Sequence, residues 1–390
     1  MTTLSFYELQ QKRAISRLGF NPFPWYKQMR MTDPVSIDEQ DQLCELFRYR
    51  DVQSVLGDPV LFSSKGQFAG EEGGGERGSI VAMDPPRHKK LRALVSQAFT
   101  PRSIAGLADN IRDIVNELLD ASCTSDTLEV IRDLAAPLPM RVIAGMLGVP
   151  LAHQADFRHW VQGIVSYSPE QAAANFQIFE DYIRVLLVQK RQERQADLVS
   201  TLLDAQVDGE PLSEQEIVDF CTFLLGAGFE TTEHLISNTF LCLDEHPSAR
   251  MQLWADPSLV PSTIEEVLRF RPVGHRITRT VTKDTEMGGK LLKAGYRVFA
   301  WIGSANRDEE QWRDPEVFDI RRSPNPHLSL GFGIHFCLGA SLARLEARIL
   351  LEQIIERFKD IQRVQEVPLQ LVESFNVYGV QQLPMHIQKR

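Results

Sequence analysis

The 390-residue sequence is poor in cysteine, in long apolar runs and in net positive charge. Its five cysteines, at positions 44, 123, 221, 242 and 337, are odd in number and widely spread, which excludes a disulfide framework and a CxxC zinc module. No stretch reaches the roughly 18 consecutive apolar residues that a bilayer-crossing helix needs. The N-terminal segment MTTLSFYELQQKRAISRLGF has no apolar signal core and no small-residue cleavage site. A cytoplasmic protein without a membrane span is expected. Lys and Arg total 42 against 52 Asp and Glu, a formal charge of −10, and an acidic chain is repelled by nucleic-acid phosphates. There is no internal repeat, low-complexity tract or interdomain linker.

What is present is a globular composition, 43% hydrophobic, dominated by helical periodicity. Residues 34–38 and 43–47 read as a small hairpin and 51–57 as a short helix. Residues 65–79 hold six glycines and read as a mobile surface loop. Helices are expected over 102–121, 138–146, 151–166, 169–193, 196–205, 213–245, 248–254, 258–270 and 338–358. Residues 278–302 turn strand-like, 303–336 irregular, and 367–390 read as short strands. The fold class is mainly α with small β-sheets, as one domain over residues 1–390.

The segment that carries chemistry is Leu330-Gly331-Phe332-Gly333-Ile334-His335-Phe336-Cys337-Leu338-Gly339. Its skeleton G-x-G-x-H-x-C-x-G arises by chance in roughly 3 of 100,000 chains of this composition. A free cysteine is more often a core residue than a ligand. The surroundings of Cys337 point the other way. Gly331 and Gly333 permit positive φ and close approach to a flat partner. A helix expected from about Leu338 directs amides at the sulfur, which favours a thiolate. A thiolate on a tight loop is a good axial ligand for haem iron.

This segment resembles the haem-binding loop of the cytochrome P-450 superfamily, and three further signatures follow in the family's order. Ala227-Gly228-Phe229-Glu230-Thr231-Thr232 lies midway along the expected helix 213–245, which opens on a Ser213/Glu216 capping box. Gly228 there costs about 1 kcal/mol relative to alanine, so it must serve a purpose. A close helix crossing is one; the resemblance implies another, a local widening over the haem where dioxygen sits. It further implies that Thr231 offers a hydroxyl at that place and Glu230 relays protons. Glu266-Val267-Leu268-Arg269 matches the family's E-x-x-R, a pair bracing the cysteine loop. Met83-Asp84-Pro85-Pro86-Arg87-His88-Lys89-Lys90-Leu91-Arg92 resembles the D-P-P-x-H-x-x-x-R start of the helix beside the haem.

From the resemblance, His88, Arg92, Arg279 and His335 are expected at the haem propionates, with Ala227, Gly228, Gly331, Phe332 and Gly339 along the macrocycle. Cys337 is the expected iron ligand of a haem b. Two departures stand out. Leu330 occupies a place usually held by phenylalanine. Val317, in Pro315-Glu316-Val317-Phe318, replaces the usual third, basic member of the bracing network, for which Arg313, Arg321 and Arg322 are the candidates.

The implied function is a monooxygenase that inserts one atom of dioxygen into a hydrophobic small molecule. The chain carries no flavin or iron–sulfur domain, so electrons are expected from a ferredoxin or flavodoxin with its NAD(P)H-dependent reductase. Arg87, Lys89, Lys90, Arg92 and Arg102 form a run without an acid, a candidate docking patch that Arg344 and Arg348 would extend. Residues 65–82, 160–180, 223–227, 273–276 and 375–377 match the family's pocket-lining regions, with His275 and Arg276 as candidate polar anchors. A peroxide-driven peroxygenase and a non-catalytic haem-thiolate sensor or carrier are the competing functions.

Overall fold

A computed structural model describes residues 19–390 apart from 20, 66–79, 124, 151–152, 154–168, 208, 373 and 375–376. The expected helix 151–166, most of the glycine-rich loop, part of the 160–180 region and the tail near Phe375 lie outside the described residues.

The elements run α1 (Phe23–Thr32), β1 (Val35–Asp38), β2 (Leu43–Leu46), α2 (Tyr49–Gly57), β3 (Phe62–Ser63), α3 (Arg87–Val95), α4 (Pro101–Ala105), α5 (Ala108–Ser122) and β4 (Thr127–Glu129). They continue with α6 (Pro137–Leu147), α7 (Pro169–Gln192), α8 (Leu198–Leu203), β5 (Gln206–Val207), β6 (Glu210–Pro211), α9 (Glu214–Glu245), α10 (Pro247–Ala255) and α11 (Val260–Phe270). The last third holds β7 (Ile277–Val281), β8 (Thr285–Met287), β9 (Lys290–Leu292), β10 (Arg297–Ala300), α12 (Ile302–Ala305), α13 (Ala340–Arg357), β11 (Phe358–Arg363) and β12 (Pro384–Lys389).

Helix α9, 32 residues long, is the axis of the molecule, and α6, α7, α11 and α13 pack on it. Its start is fixed by the expected capping box. Ser213 Oγ accepts from the Glu216 N–H and Glu216 Oε2 from the Ser213 N–H, at 3.2 and 2.9 Å. Apolar residues on several faces of α9, among them Leu225, Leu235, Phe240 and Leu241, are buried, so it threads the core rather than lying on it. Each fully buried side chain of this size contributes about 1.5–3 kcal/mol.

Beside this helical body sits a five-stranded sheet in the order β1-β2-β10-β7-β3. The expected hairpin is there, Val35 opposite Leu46 and Asp38 opposite Leu43. β10 joins β2 in parallel and β7 antiparallel. The placement of β7 sets Arg279 opposite Val298, buried at the edge of the site. A smaller sheet, β11-β12-β4, closes the other side. The helix expected over 102–121 is broken into α4 and α5 near Gly106, whose amide caps α4.

Candidate active site

The cysteine loop is built by its own backbone. Gly331 and Gly333 stand at φ 77° and 68°. A Cβ on Gly333 would come within 2.8 Å of the Leu56 carbonyl, so no larger residue fits there. The Cys337 amide donates to the Leu330 carbonyl at 2.7 Å, closing the turn that presents the sulfur. Phe332 packs its ring against Gly57, at 3.3 Å from the point where a Cβ would sit. Helix α13 begins at Ala340, with Gly339 as its N-cap, slightly later than the sequence suggested. The Gly339 N–H does point at the sulfur, and Arg92 and Arg344 add positive charge. Burial nevertheless outweighs all three and raises the Cys337 thiol above its ordinary range. The expected amide therefore favours the thiolate, as Arg92 and Arg344 do, but burial acts more strongly in the opposite sense.

The brace under the loop is sealed from solvent. Glu266 and Arg269 side chains are both 0% exposed, joined by Nε–Oε2 and Nη2–Oε1 contacts of 2.8 and 2.7 Å. Arg269 also donates to the carbonyls of Asn306, Pro315 and Val317 at 3.0, 2.9 and 3.0 Å. Arg322 is the third basic member, its Nε 3.2 Å from both Glu266 oxygens. Asn325, which the sequence did not single out, donates to Glu266 Oε2 at 3.1 Å. The exposed Val317 takes part through its carbonyl only.

Four bases gather at one edge of the loop. His88, on α3, and His335 lie with ring centroids 4.2 Å apart. Arg92 Nη2 donates to the Phe336 carbonyl at 2.5 Å, and Arg279 Nη1 to the Thr278 carbonyl at 2.8 Å. Ser64 Oγ is 3.0 Å from His335 Nε2, and Asp84 fixes the Ser63–Ser64 corner by accepting from Ser63 Oγ and the Ser64 N–H at 2.5 and 2.9 Å. Burial first, then the charges of Arg279, His88 and Arg92, pushes His335 down to about 3, and burial pushes Arg279 down to about 10. His88 Nε2 is buried with no hydrogen-bond partner. Two arginines beside two uncharged imidazoles, one with an unpartnered buried nitrogen, form a receptor for an anion, and two carboxylates on the rim of a flat group fit it.

Ala227 and Thr231 are exposed in the middle of the otherwise buried α9, one turn apart on one face. Thr231 Oγ1 donates to the Ala227 carbonyl at 2.7 Å. Gly228 faces elsewhere. A Cβ there would lie 2.8 Å from Ile143 Cδ1 on α6, and α9 runs on as unbroken α-helix through this stretch. Its smallness therefore serves the α9–α6 crossing. Half-buried Glu230 stands one residue before Thr231, and its charge acts on Glu233, whose carboxyl burial pushes up to about 8.

His275 and Arg276 do not line an open cavity. They are 0% and 2% exposed, His275 Nδ1 lying 2.8 Å from Tyr26 Oη and Arg276 stacked over the Phe299 ring. Arg344 and Arg348 are likewise engaged, with Glu265 and Glu352, and Arg87 with Glu216. Lys89, Lys90 and Arg102 are exposed.

The arrangement has a match. The sequence model of the family Cytochrome P450 covers residues 140–256 and 249–375. The chain belongs to the cytochrome P450 family. Among relatives of this P450, cyclomarin C epoxidase CymV of Salinispora arenicola is 38% identical over 396 residues, 98% of each chain. Erythromycin C-12 hydroxylase of Saccharopolyspora erythraea is 40% identical over 346 residues, 86% of each. The crystal structure of CYP109E1 from Bacillus megaterium in complex with corticosterone superposes with a TM-score of 0.88 at 40% identity, over 94% of this chain and 98% of that one. The mainly helical single-domain P450 architecture is therefore established, as is membership of an oxidoreductase class that oxygenates small molecules. The family implies haem with thiolate-ligated iron, oxygen, redox partners and hydrophobic substrates. Among the described residues no helix is long and apolar enough to cross a membrane.

Proposed function

We infer that the chain, as one domain over residues 1–390, is a cytoplasmic haem b monooxygenase that hydroxylates or epoxidises a hydrophobic small molecule, with electrons from a ferredoxin-type partner. The observation that carries the reading is the pairing of the Cys337 loop with the base cluster at its edge. Cys337 Sγ is the iron ligand. Arg92 and Arg279 neutralise the two propionates and His88 and His335 bind them, His88 Nε2 finding there the partner it lacks. When bound, the haem supplies dioxygen binding and the oxidising power of the reaction.

The chain's own residues supply orientation and protons. Thr231 holds its hydroxyl hydrogen on the Ala227 carbonyl, one turn back. Its oxygen lone pairs stay open on the exposed stretch of α9, so it accepts and passes a proton without moving its backbone. Glu230, half-buried beside it, brings protons inward from solvent. A positioned acid of this kind contributes typically 10²–10⁴-fold, roughly 3–5 kcal/mol of barrier. Leu330, packed against the core, keeps water from the sulfur side. Lys89, Lys90 and Arg102 receive an acidic electron carrier.

The substrate class follows relatives whose names carry erythromycin, cyclomarin C and, in a bound complex, corticosterone. The test is turnover of a hydrophobic library with NAD(P)H, ferredoxin and reductase, comparing wild type with Thr231→Ala. Wild type is expected to form oxygenated product. The variant is expected to consume reductant but release mostly peroxide. Product formed with peroxide alone, and none with the reductase chain, would replace this reading by a peroxygenase.

A further inference from the structure

Glu230 and Thr231 are consecutive on α9, and consecutive side chains on a helix diverge by about 100° and do not face each other. An acid and an alcohol so placed need a third group to bring them together. Residues three and four apart do meet, with Cβ atoms about 5–6 Å apart. Two positions stand in that relation to both residues, Ala227 on the turn before and His234 on the turn after. Ala227 offers only its carbonyl, which already accepts from Thr231. His234 is therefore the polar side chain of α9 that adjoins the acid and the alcohol together.

Its surroundings fit that place. His234 is 2% exposed, and its Nδ1 is buried with no hydrogen-bond partner. Side chains on a helix lean toward its N-terminus, which inclines this ring back over the turn that carries Glu230 and Thr231. A Cβ on Gly379 would stand over the face of the ring, nearest Nδ1 and 2.6 and 2.7 Å from Cγ and Cε1, so only glycine lets the tail of the chain lie there. That contact covers the ring face and leaves the in-plane direction of Nδ1 to another partner. Burial pushes the ring down to about 4, so near neutral pH it is uncharged, with one N–H to give. A buried nitrogen without a partner is costly, and a carboxyl one turn away relieves it.

We propose that His234 is the positioning residue of the proton relay: its Nδ1–H donates to one oxygen of the Glu230 carboxyl and so turns the other oxygen toward Thr231. The inference rests on the monooxygenase reading. The second oxygen carries a proton drawn from solvent. That O–H bond breaks as a new one forms at Thr231 Oγ1, which passes its own hydrogen on to the dioxygen undergoing reduction. Glu230 is left a carboxylate, held by Nδ1–H until solvent reprotonates it. His234 keeps its hydrogen throughout.

Nitrogen-15 NMR of histidine-labelled, haem-loaded protein, reduced and saturated with carbon monoxide so that it is diamagnetic, tests the contact. The His234 Nδ1 resonance, assigned by its loss in His234→Asn, is expected to be that of a nitrogen bearing hydrogen and to shift in Glu230→Ala. A bare Nδ1, or a resonance that Glu230→Ala leaves in place, would overturn the proposal. A second arm reads product formed per NAD(P)H consumed, with ferredoxin, reductase and the library compound that wild type converts best. His234→Leu supplies no donor and is expected to lose product severalfold to peroxide. His234→Asn places an amide N–H where Nδ1–H stands and is expected to remain near wild type. A merely structural role predicts the reverse order, since leucine suits an apolar core better than asparagine does. Wild-type coupling in His234→Leu, or equal loss in the two variants, would overturn the proposal. Should His234→Leu not load haem, the Glu230→Ala resonance, which leaves the His234 packing untouched, decides alone. A wild type that converts no compound sinks the underlying reading, whereas a wild type that converts one, with His234→Leu coupled as well, sinks only this one.

Discussion

Arg322 Nε lies 3.2 Å from both carboxylate oxygens of Glu266, completing from the far side the ion pair that Arg269 makes from within its own helix. The two arginines do not weigh equally. Arg269 is fully enclosed, whereas the Arg322 side chain reaches the surface at 11% exposure. Arg269→Met leaves a buried carboxylate short of its main partner and is expected to cost about 3–5 kcal/mol. Arg322→Met removes charge-assisted hydrogen bonds and is expected to cost about 1.5–3 kcal/mol. Val317→Ala is expected to stay within about 0.5 kcal/mol, because only the carbonyl of that residue is used. Urea unfolding of the three variants, followed with haem retention, checks the ranking.

Gly228 opposite Ile143 gives a second expectation. Gly228→Ala gains helix propensity of about 1 kcal/mol but drives a methyl against Ile143 Cδ1, and overpacking costs about 1–3 kcal/mol. The single variant is expected to be neutral or destabilised. In an Ile143→Val background, where that δ carbon is gone, the same change is expected to stabilise. A double-mutant cycle on unfolding free energy reads the coupling, and simple additivity would contradict the close crossing.

Glu346, on α13, is buried with Oε2 unpartnered, and burial alone pushes its carboxyl up to about 8. The native protein thus keeps this proton up to about pH 8, while the unfolded chain releases it near 4.5. Between those values the native state binds more protons, so stability falls as pH rises and levels off above the native value. Glu346→Gln is expected to remove that slope and to be more stable at pH 8 by on the order of a few kcal/mol. Thermal midpoints from pH 5 to pH 9 check it, and parallel curves for the two proteins would contradict it.

On the basic face, Lys89→Glu and Arg102→Glu are expected to raise the KM for an acidic ferredoxin severalfold and to leave kcat at saturating ferredoxin unchanged. The difference is expected to shrink with added salt, because both residues are exposed and surface charges are screened. Steady-state kinetics at two ionic strengths measure it.

Much of the fold was legible because its signals are local. The Ser213/Glu216 box placed the start of α9, and two short strand-like runs parted by polar residues placed the β1–β2 hairpin. Parallel pairing of β10 with β2 was not legible, since nothing local marks a partner more than 250 residues away. The identity of every base in the site was on the sequence, but its engagement was not. An i,i+3 pair such as Glu266–Arg269 looks the same whether exposed or sealed, and only tertiary packing sealed it. Arg313, Arg321 and Arg322 were equivalent as candidates until the loop at Asp319–Arg322 turned the last of them toward Glu266. Arg344 was read as part of the docking face for want of any sign that Glu265, 79 residues earlier, would hold it. His275 and Arg276, read as candidate pocket residues, are core residues for the same reason: exposure is a property of the fold.

The most direct measurement is the absorption spectrum of haem-loaded protein, reduced and saturated with carbon monoxide, for wild type beside Cys337→Ser. Wild type is predicted to show the strongly red-shifted band of a thiolate-bound haem, and the variant is predicted to lose it. A variant with the wild-type band, or a wild type without it, would contradict the assignment of Cys337 as the iron ligand.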